Sequence, residues 1–469
     1  MPTIGLISLG CAKNTVDSEI ILGLLSKADY KIIDDLEQAE ILIVNTCAFI
    51  NEAKQESIDT ILELAGFKNE GKCKFLIVAG CLSQRYKEKL LEEIPEIDAI
   101  LGTGNLLSVN ELCFNLLNNN RSFPRIIVSD KVDFIYDHNP PRYRKPHSSV
   151  VYIKIAEGCN NRCSFCIIPK LRGCYRSRFI DSIVTEARQL VDDGVREINL
   201  IAQDTTYFGR DLGIKNGLVK LLEDLVEIKG NFWIRLLYAN PFHISEELLD
   251  IISKKEKICN YLDIPIQHIN DVLLREMKRG GTREEIQTLV KKIRTYIPDI
   301  SLRTTVMVGF PGETNEQFEE LMNFVEDVKF DRLGIFKYSK EEGTEVANKK
   351  VRFISEKVKE ERYNRIMGLQ THISENKNLK LIGKIQKVLI DRCSGEELKP
   401  KRDLRKNEER RTKNDKQVFS VFEGRSYASA PEVDGVAYII DELGDIKIGD
   451  FYNVKITEAF TYDVMGVKS

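Results

Sequence analysis

Three cysteines, Cys159, Cys163 and Cys166, stand in a C-x-x-x-C-x-x-C loop directly after a run of strand-forming residues. Soft thiolates are the ligands that iron–sulfur clusters prefer. Three of them in one short loop can hold three irons of a 4Fe–4S cubane and leave the fourth iron open to a small molecule. Gly158 lets the chain leave the strand sharply. Phe165, between two of the ligands, can shield a cluster and pack on a bound nucleoside. Zinc is the competing occupant. It takes four ligands, commonly as two C-x-x-C pairs, and Cys174 lies eight residues beyond Cys166 as a possible fourth.

A second trio is scattered through the first hundred residues. Cys11, Cys47 and Cys81 share one setting, in Ser8-Leu-Gly-Cys11, Val44-Asn-Thr-Cys47 and Val78-Ala-Gly-Cys81. Each follows an apolar strand-like run and precedes a helical pattern. If those strands are parallel neighbours, the thiols gather at their carboxyl ends, where open α/β sheets bind ligands. Helix N-termini there suit a negatively charged cluster. One such cysteine alone reads as a buried structural residue; three in equivalent places read as a second 4Fe–4S site. Cys73, Cys113, Cys259 and Cys393 lack the setting and read as structural.

The elements that must position these residues alternate. Strand runs at Ile4–Leu9, Ile41–Asn45, Phe75–Ala79 and Ala99–Leu101 are interleaved with helical patterns near Asp17–Ser26, Asn51–Leu64, Tyr86–Glu93 and Leu106–Leu117. Such alternation predicts a parallel sheet covered on both faces. A polar stretch with Pro140, Pro141 and Pro146 then reads as a connector. Alternation resumes at Val151–Ala156, Glu197–Ala202, Trp233–Tyr238, Tyr261–Pro265, Ser301–Val306 and Arg332–Lys337. Six strand–helix units are too few to close an eightfold barrel, so an open, partial α/β barrel is expected, with its chemistry at the carboxyl ends of the strands. Beyond Leu379, short β runs at Gly383–Ile390, Gln417–Phe422, Gly435–Ile440 and Phe451–Ile456 predict a small antiparallel barrel. The expected division is residues 1–118, a linker at 119–149, the partial barrel at 150–376, and a β-barrel at 377–469 carrying a charged insertion at 395–416. Within it, Glu396–Lys416 has nine basic and six acidic side chains and little to bury. It reads as a solvated loop or as a basic arm for nucleic acid.

Further polar residues fall at strand ends. Gln203 and Asp204 end the second barrel strand, and Gln267 and His268 end the fourth. Arg303 lies in the fifth, which runs into Val308-Gly-Phe-Pro-Gly-Glu-Thr314. Gly309, Pro311 and Gly312 can let backbone approach an adenine, and they can equally form a plain strand-to-helix turn capped by Thr314. His268 by itself reads as a hydrogen-bonded structural histidine.

With 469 residues, 42% apolar and 30% charged, the chain has the composition of a multidomain globular protein. A net charge of -3 announces no global field for nucleic acid or membrane. No apolar run approaches the ~20 residues of a membrane helix, and the start reads as a strand rather than a signal peptide. No membrane partner and a cytoplasmic location are expected.

The Cys159 loop resembles the motif of the radical S-adenosylmethionine superfamily. The two trios, a Rossmann-like first unit, a partial (β/α)6 barrel and a terminal β-barrel together resemble the methylthiotransferase family within it, over essentially the whole chain. That resemblance implies two 4Fe–4S clusters, one on Cys159, Cys163 and Cys166 and an auxiliary one on Cys11, Cys47 and Cys81. It implies S-adenosylmethionine as methyl donor and radical source, with Phe165, Gln203, Arg303, Gly309, Pro311 and Gly312 as candidate contacts, and a low-potential electron donor. The last unit resembles a TRAM module. Cys174 and Ala12 stand where the family usually has proline.

The family modifies either tRNA adenosine or a ribosomal-protein aspartate. Residues 417–469 carry nine acidic and four basic side chains. Phosphate neutralisation dominates RNA affinity, so this module suits a basic protein better than tRNA. Ser8-Leu-Gly-Cys-Ala-Lys-Asn-Thr-Val-Asp-Ser-Glu19 and Gly424-Arg-Ser-Tyr-Ala-Ser-Ala-Pro-Glu-Val-Asp-Gly435 resemble the ribosomal-protein branch. The expected reaction is methylthiolation of the β-carbon of an aspartate in small-subunit ribosomal protein S-twelve, with tRNA disfavoured.

Overall fold

The computed structural model describes residues 1–144, 148–398 and 419–469. The first sheet holds six parallel strands: β1 (Thr3–Ser8), β2 (Lys31–Ile32), β3 (Ile41–Thr46), β4 (Phe75–Gly80), β5 (Ala99–Leu101) and β6 (Ile126–Ile127). Their order is β2-β1-β3-β4-β5-β6. Alternation along the strands explains the layers. Leu42, Val44, Leu76 and Val78 pack on one face with Ile61 and Leu64 of helix Asn51–Glu70. Ile41, Ile43, Ile77 and Ala79 pack on the other with Ile21, Leu25 and Leu112. Both faces are covered, so β3 is buried along its whole length.

Two helices differ from expectation in ways that matter to the site. The first begins at Ala12 rather than near Asp17, which puts Lys13, Asn14 and Asp17 on a helix that faces the second unit. The helix expected at Tyr86–Glu93 is two, Cys81–Tyr86 and Glu88–Glu93, broken at Lys87 with φ +42°. Strands β2 and β6 have two residues each, too short to carry a pattern. β6 comes from the stretch read as a connector and pairs with β5.

The second sheet is also parallel, and its six strands do not close. Its first strand is β7 (Val150–Lys154). A short antiparallel pair, β8 (Ala156–Glu157) and β9 (Arg176–Ser177), follows. The remaining strands are β10 (Glu197–Ile201), β11 (Trp233–Leu236), β12 (Ile258–Asp263), β13 (Ser301–Val308) and β14 (Arg332–Lys337), in the order β7-β10-β11-β12-β13-β14. Amphipathic helices such as Ile180–Asp192 and Asn315–Val328 close its outer face over the core containing Ile198, Leu236, Leu262 and Val306.

The last unit is a closed barrel of β15 (Ile385–Leu398), β16 (Phe419–Ser426), β17 (Ala437–Asp441), β18 (Phe451–Ala459) and β19 (Val464–Lys468). Its order is β15-β16-β17-β19-β18. The sheet is not wholly antiparallel, because β18 lies beyond β19 and brings β19 back parallel to β17. The charged insertion lies, from residue 399 through 418, outside the described residues. A shared core joins the three units: Ala12, Val16 and Ile20 meet Tyr152, Trp233 and Tyr261, with Leu389 and Ala430. No helix among the described residues is long and apolar enough to cross a membrane.

Candidate active site

All six cysteines of the two trios line one cavity of about 540 Å³. Its wall draws on all three units, from the loop after β1 to Pro431, Glu432 and Val433 between β16 and β17. The strand-end reasoning explains the first trio. Cys11 precedes the first turn of helix Ala12–Lys27, Cys47 follows β3, and Cys81 opens helix Cys81–Tyr86. Gly10, at φ +89°, permits the close approach of two of these loops, since a Cβ there would sit 2.7 Å from the Cβ of Cys47. Ser57 accepts a hydrogen bond from the Cys47 N–H at 3.1 Å and fixes that loop.

The second trio sits in the loop between β8 and the helix Ile168–Arg172. Gly158 has φ +74°, and a Cβ on it would strike the Cys174 carbonyl oxygen at 2.1 Å. Ser164 pins the loop from behind: its Oγ–H donates to the Glu276 carbonyl at 2.7 Å and its N–H to the Met277 carbonyl at 3.0 Å. Arg279 donates to the Sγ of Cys163 at 3.6 Å and to the Pro265 carbonyl at 2.6 Å.

Between the trios lies a buried lattice of charge. Lys154 pairs with Asp17 at 2.5 Å and with Glu157 at 2.6 Å. Arg172 pairs with the same two carboxylates, each at 3.1 Å. It also donates to Asn14 Oδ1 at 2.7 Å and to the Sγ of Cys81 at 3.8 Å. Asp17, Asn14 and Cys81 belong to the first unit; Lys154, Glu157 and Arg172 belong to the second. The lattice therefore ties the first unit to the second beside both trios.

The thiols feel these surroundings differently. Burial raises the Cys11 pKa, but Lys13, Arg172 and two backbone N–H groups outweigh it, and the net shift is downward. Burial pushes Cys47 and Cys166 up to about 12 and Cys159 up to about 11. Cys81 is also raised by burial, against the opposing charge of Arg172. Such thiols ionise on binding a cation, which makes cluster loading a proton-releasing step. Among the described residues no three His, Cys, Asp or Glu side chains stand close enough together, as placed, to hold a metal ion. The residue chemistry is that of iron–sulfur ligation: three thiols in each trio, with a guanidinium donor aimed at one sulfur of each.

Phe165, Gln203 and Arg303 line the same cavity, as do Asp204 and Gln267. Arg303 is held by Asp263 at 3.0 Å. Asp204 accepts from Thr206 at 2.6 Å and Asn161 at 3.0 Å and meets His243 Nδ1 at 2.9 Å. Burial raises its pKa, yet these partners bring it below the usual range. Gly309, Pro311 and Gly312 are not on the wall. A Cβ on Gly309 would meet Lys359 Cγ at 2.3 Å, so helix Glu356–Leu379 covers this turn instead. Thr314 caps the next helix through a complete capping box with Gln317. His268 is buried and accepts from the Asn270 N–H at 3.0 Å, the structural role expected for it. Cys174 is exposed and off the wall. The sequence reading missed Lys13, Arg172, Tyr238, Arg279 and Glu432, all of which line the cavity.

Comparison with known proteins matches three family models in chain order: the uncharacterised protein family UPF0004 at residues 3–102, the radical SAM superfamily at 153–325 and the TRAM domain at 412–468. A ribosomal protein uS12 methylthiotransferase RimO from Clostridioides difficile is 45% identical over 99% of this chain and 98% of its own length. Proteins of the same name from Desulforamulus reducens and Natranaerobius thermophilus are each 46% identical, with at least 98% of both chains covered. Among solved structures, the radical S-adenosylmethionine methyltransferase TsrM from Kitasatospora setae superposes with a TM-score of 0.54 at 16% identity, covering 74% of this chain and 77% of that one. That likeness concerns the fold alone.

Proposed function

The chain belongs to the ribosomal protein uS12 methylthiotransferases, a family of radical S-adenosylmethionine enzymes, and on that premise we propose a division of labour for its residues. It replaces a β-hydrogen of an aspartate in uS12 with a methylthio group, using a 4Fe–4S cluster and S-adenosylmethionine. We assign that cluster to Cys159, Cys163 and Cys166, and a second, auxiliary cluster to Cys11, Cys47 and Cys81. When bound, these groups supply a 5′-deoxyadenosyl radical to remove hydrogen, and the sulfur and methyl that replace it.

The observation that carries this reading is the convergence of both trios on one cavity. The chain's own residues do the rest. The lattice of Lys154, Arg172, Asp17 and Glu157 ties the two units together beside the trios. Arg279 and Arg172 place positive charge beside cluster ligands. Phe165 and the apolar wall keep water from a reactive carbon-centred species. The acidic balance of residues 417–469, nine acidic against four basic, supports a protein substrate over tRNA. An external low-potential reductant and a cytoplasmic site of action complete the proposal.

Anaerobic incubation of reconstituted protein with reductant, S-adenosylmethionine and either uS12 or tRNA tests it, read by mass. A gain of CH2S on one uS12 aspartate is expected. The same gain on tRNA, with uS12 unchanged, would reverse the assignment.

A further inference from the structure

Among the described residues four cationic side chains line the cavity, and three are engaged within the protein. Arg172 is paired with Asp17 and Glu157, Arg303 with Asp263, and Arg279 with a carbonyl and a thiol. Lys13 is the exception. Its side chain is buried, the residue only 4% exposed, and its ammonium lies 3.4 Å from the centroid of the Tyr238 ring. It makes no hydrogen bond and no ion pair among the described residues. An ammonium carries three donors, and leaving all of them unused in a desolvated place is unfavourable. It also opens the first turn of a 16-residue helix that has no acidic side chain there, so the helix dipole adds to its field. Of the acidic groups near it, Asp263 holds Arg303, Glu157 is shared by Lys154 and Arg172, and Cys11, two residues away, is the thiol whose pKa it lowers without a hydrogen bond between them among the described residues.

We infer that Lys13, set over Tyr238, is the binding site for the carboxylate of the substrate aspartate. The inference rests on the proposed function and adds what fixes the reacting carbon. The β-carbon is one bond from that carboxylate. A side chain that grips the carboxylate between the two thiol trios therefore holds the β-carbon where hydrogen must leave and sulfur must arrive. A neutral amide in the same place leaves the ammonium unpaired, so the site selects aspartate over asparagine.

The test measures Kd by holoenzyme carrying both clusters, without reductant so that no turnover intervenes. The ligands are uS12 and a form whose modified aspartate, located by peptide mass analysis, is changed to asparagine. Wild-type protein is expected to bind the asparagine form roughly thirtyfold more weakly. Lys13→Met should bind the aspartate form more weakly by a similar factor and no longer distinguish the two. Lys13→Arg, which keeps the charge, should retain the preference. Iron content and the Kd for S-adenosylmethionine should match wild type in both variants. A Lys13→Met protein that still prefers aspartate as wild type does would overturn the inference. Lost iron would assign Lys13 to the cluster, and weakened cofactor binding would assign it to the cofactor's own carboxylate; either would overturn it too. Wild-type enzyme that leaves uS12 unmodified would instead overturn the function on which the inference rests.

Discussion

Replacing Arg172 with methionine removes one of two cations from a buried set that contains two carboxylates. Arg172 is 1% exposed, and Glu157 is 6% exposed. Burial raises the Glu157 pKa, but Arg172 and then Lys154 more than reverse this, and the carboxyl is held at about 2 instead of the ordinary 4.5. A carboxyl depressed in the folded state adds stability that is present above 4.5 and is lost as pH falls through about 2. Neutral pH lies inside that window. The depression corresponds to about 3 kcal/mol, within the range for breaking a buried pair by removing one partner. For a unit of 150–250 residues, that lowers the melting temperature by roughly 6 to 12 °C. The assay is an anaerobic circular-dichroism melt at pH 7 of wild type, Arg172→Met, Glu157→Gln and the double variant. Arg172→Met should show the drop. In the Glu157→Gln background the same substitution should cost much less, because no unpaired carboxylate remains. Arg172→Met melting with wild type would refute the argument, as would an equal loss in both backgrounds.

Other outcomes follow from the same geometry. Cys163→Ala should stop cofactor cleavage and retain about four irons per chain, and Cys47→Ala should keep cleavage but end methylthiolation, against about eight irons in wild type; iron analysis and 5′-deoxyadenosine formation check both. Glu432 is exposed on the cavity rim and makes no ion pair among the described residues. Glu432→Lys should raise KM for uS12 about fivefold with kcat unchanged, read by initial rates. Glu197, buried between Arg235 at 2.7 Å and Arg425 at 2.9 Å, clamps the last barrel to the second sheet. Burial opposes its ionisation, yet the two guanidiniums hold its pKa at about 2. Its contribution is present above 4.5 and fades as pH falls toward 2. Hydrogen exchange in β16 should therefore be equally slow at pH 8 and pH 6 after correction for intrinsic rates, and Glu197→Gln should speed it at both.

The parts legible in the sequence were those with a repeated local signal. Apolar runs alternating with helical patterns gave both parallel sheets, and cysteines at equivalent strand ends gave a trio that the fold brings to one cavity. Strands β2, β6 and β19 escaped notice because pairs of residues and a glycine-containing run carry no period. The turn at Gly309 shows the opposite ambiguity. Its glycines resemble a ligand cradle, yet Lys359, fifty residues later, fills the space. Lys13 and Arg172 were invisible for a related reason. A single cation in a polar stretch looks solvated until the partner surface that buries it is known. The first residues of helix Ala12–Lys27, Ala-Lys-Asn-Thr, carry a single apolar side chain, because this end faces charge and cavity as well as core.

The cavity's wall is shared by different stretches of polypeptide: the cysteine loops on one part, and Pro431 to Val433 of the closing barrel on another. The two stretches can thus be altered independently of each other. Both trios open on a single volume, so nothing need be carried between them on a swinging arm. The same arrangement makes the catalyst hard to prune, for removing the terminal barrel would unroof the chamber as well as strip off a docking module.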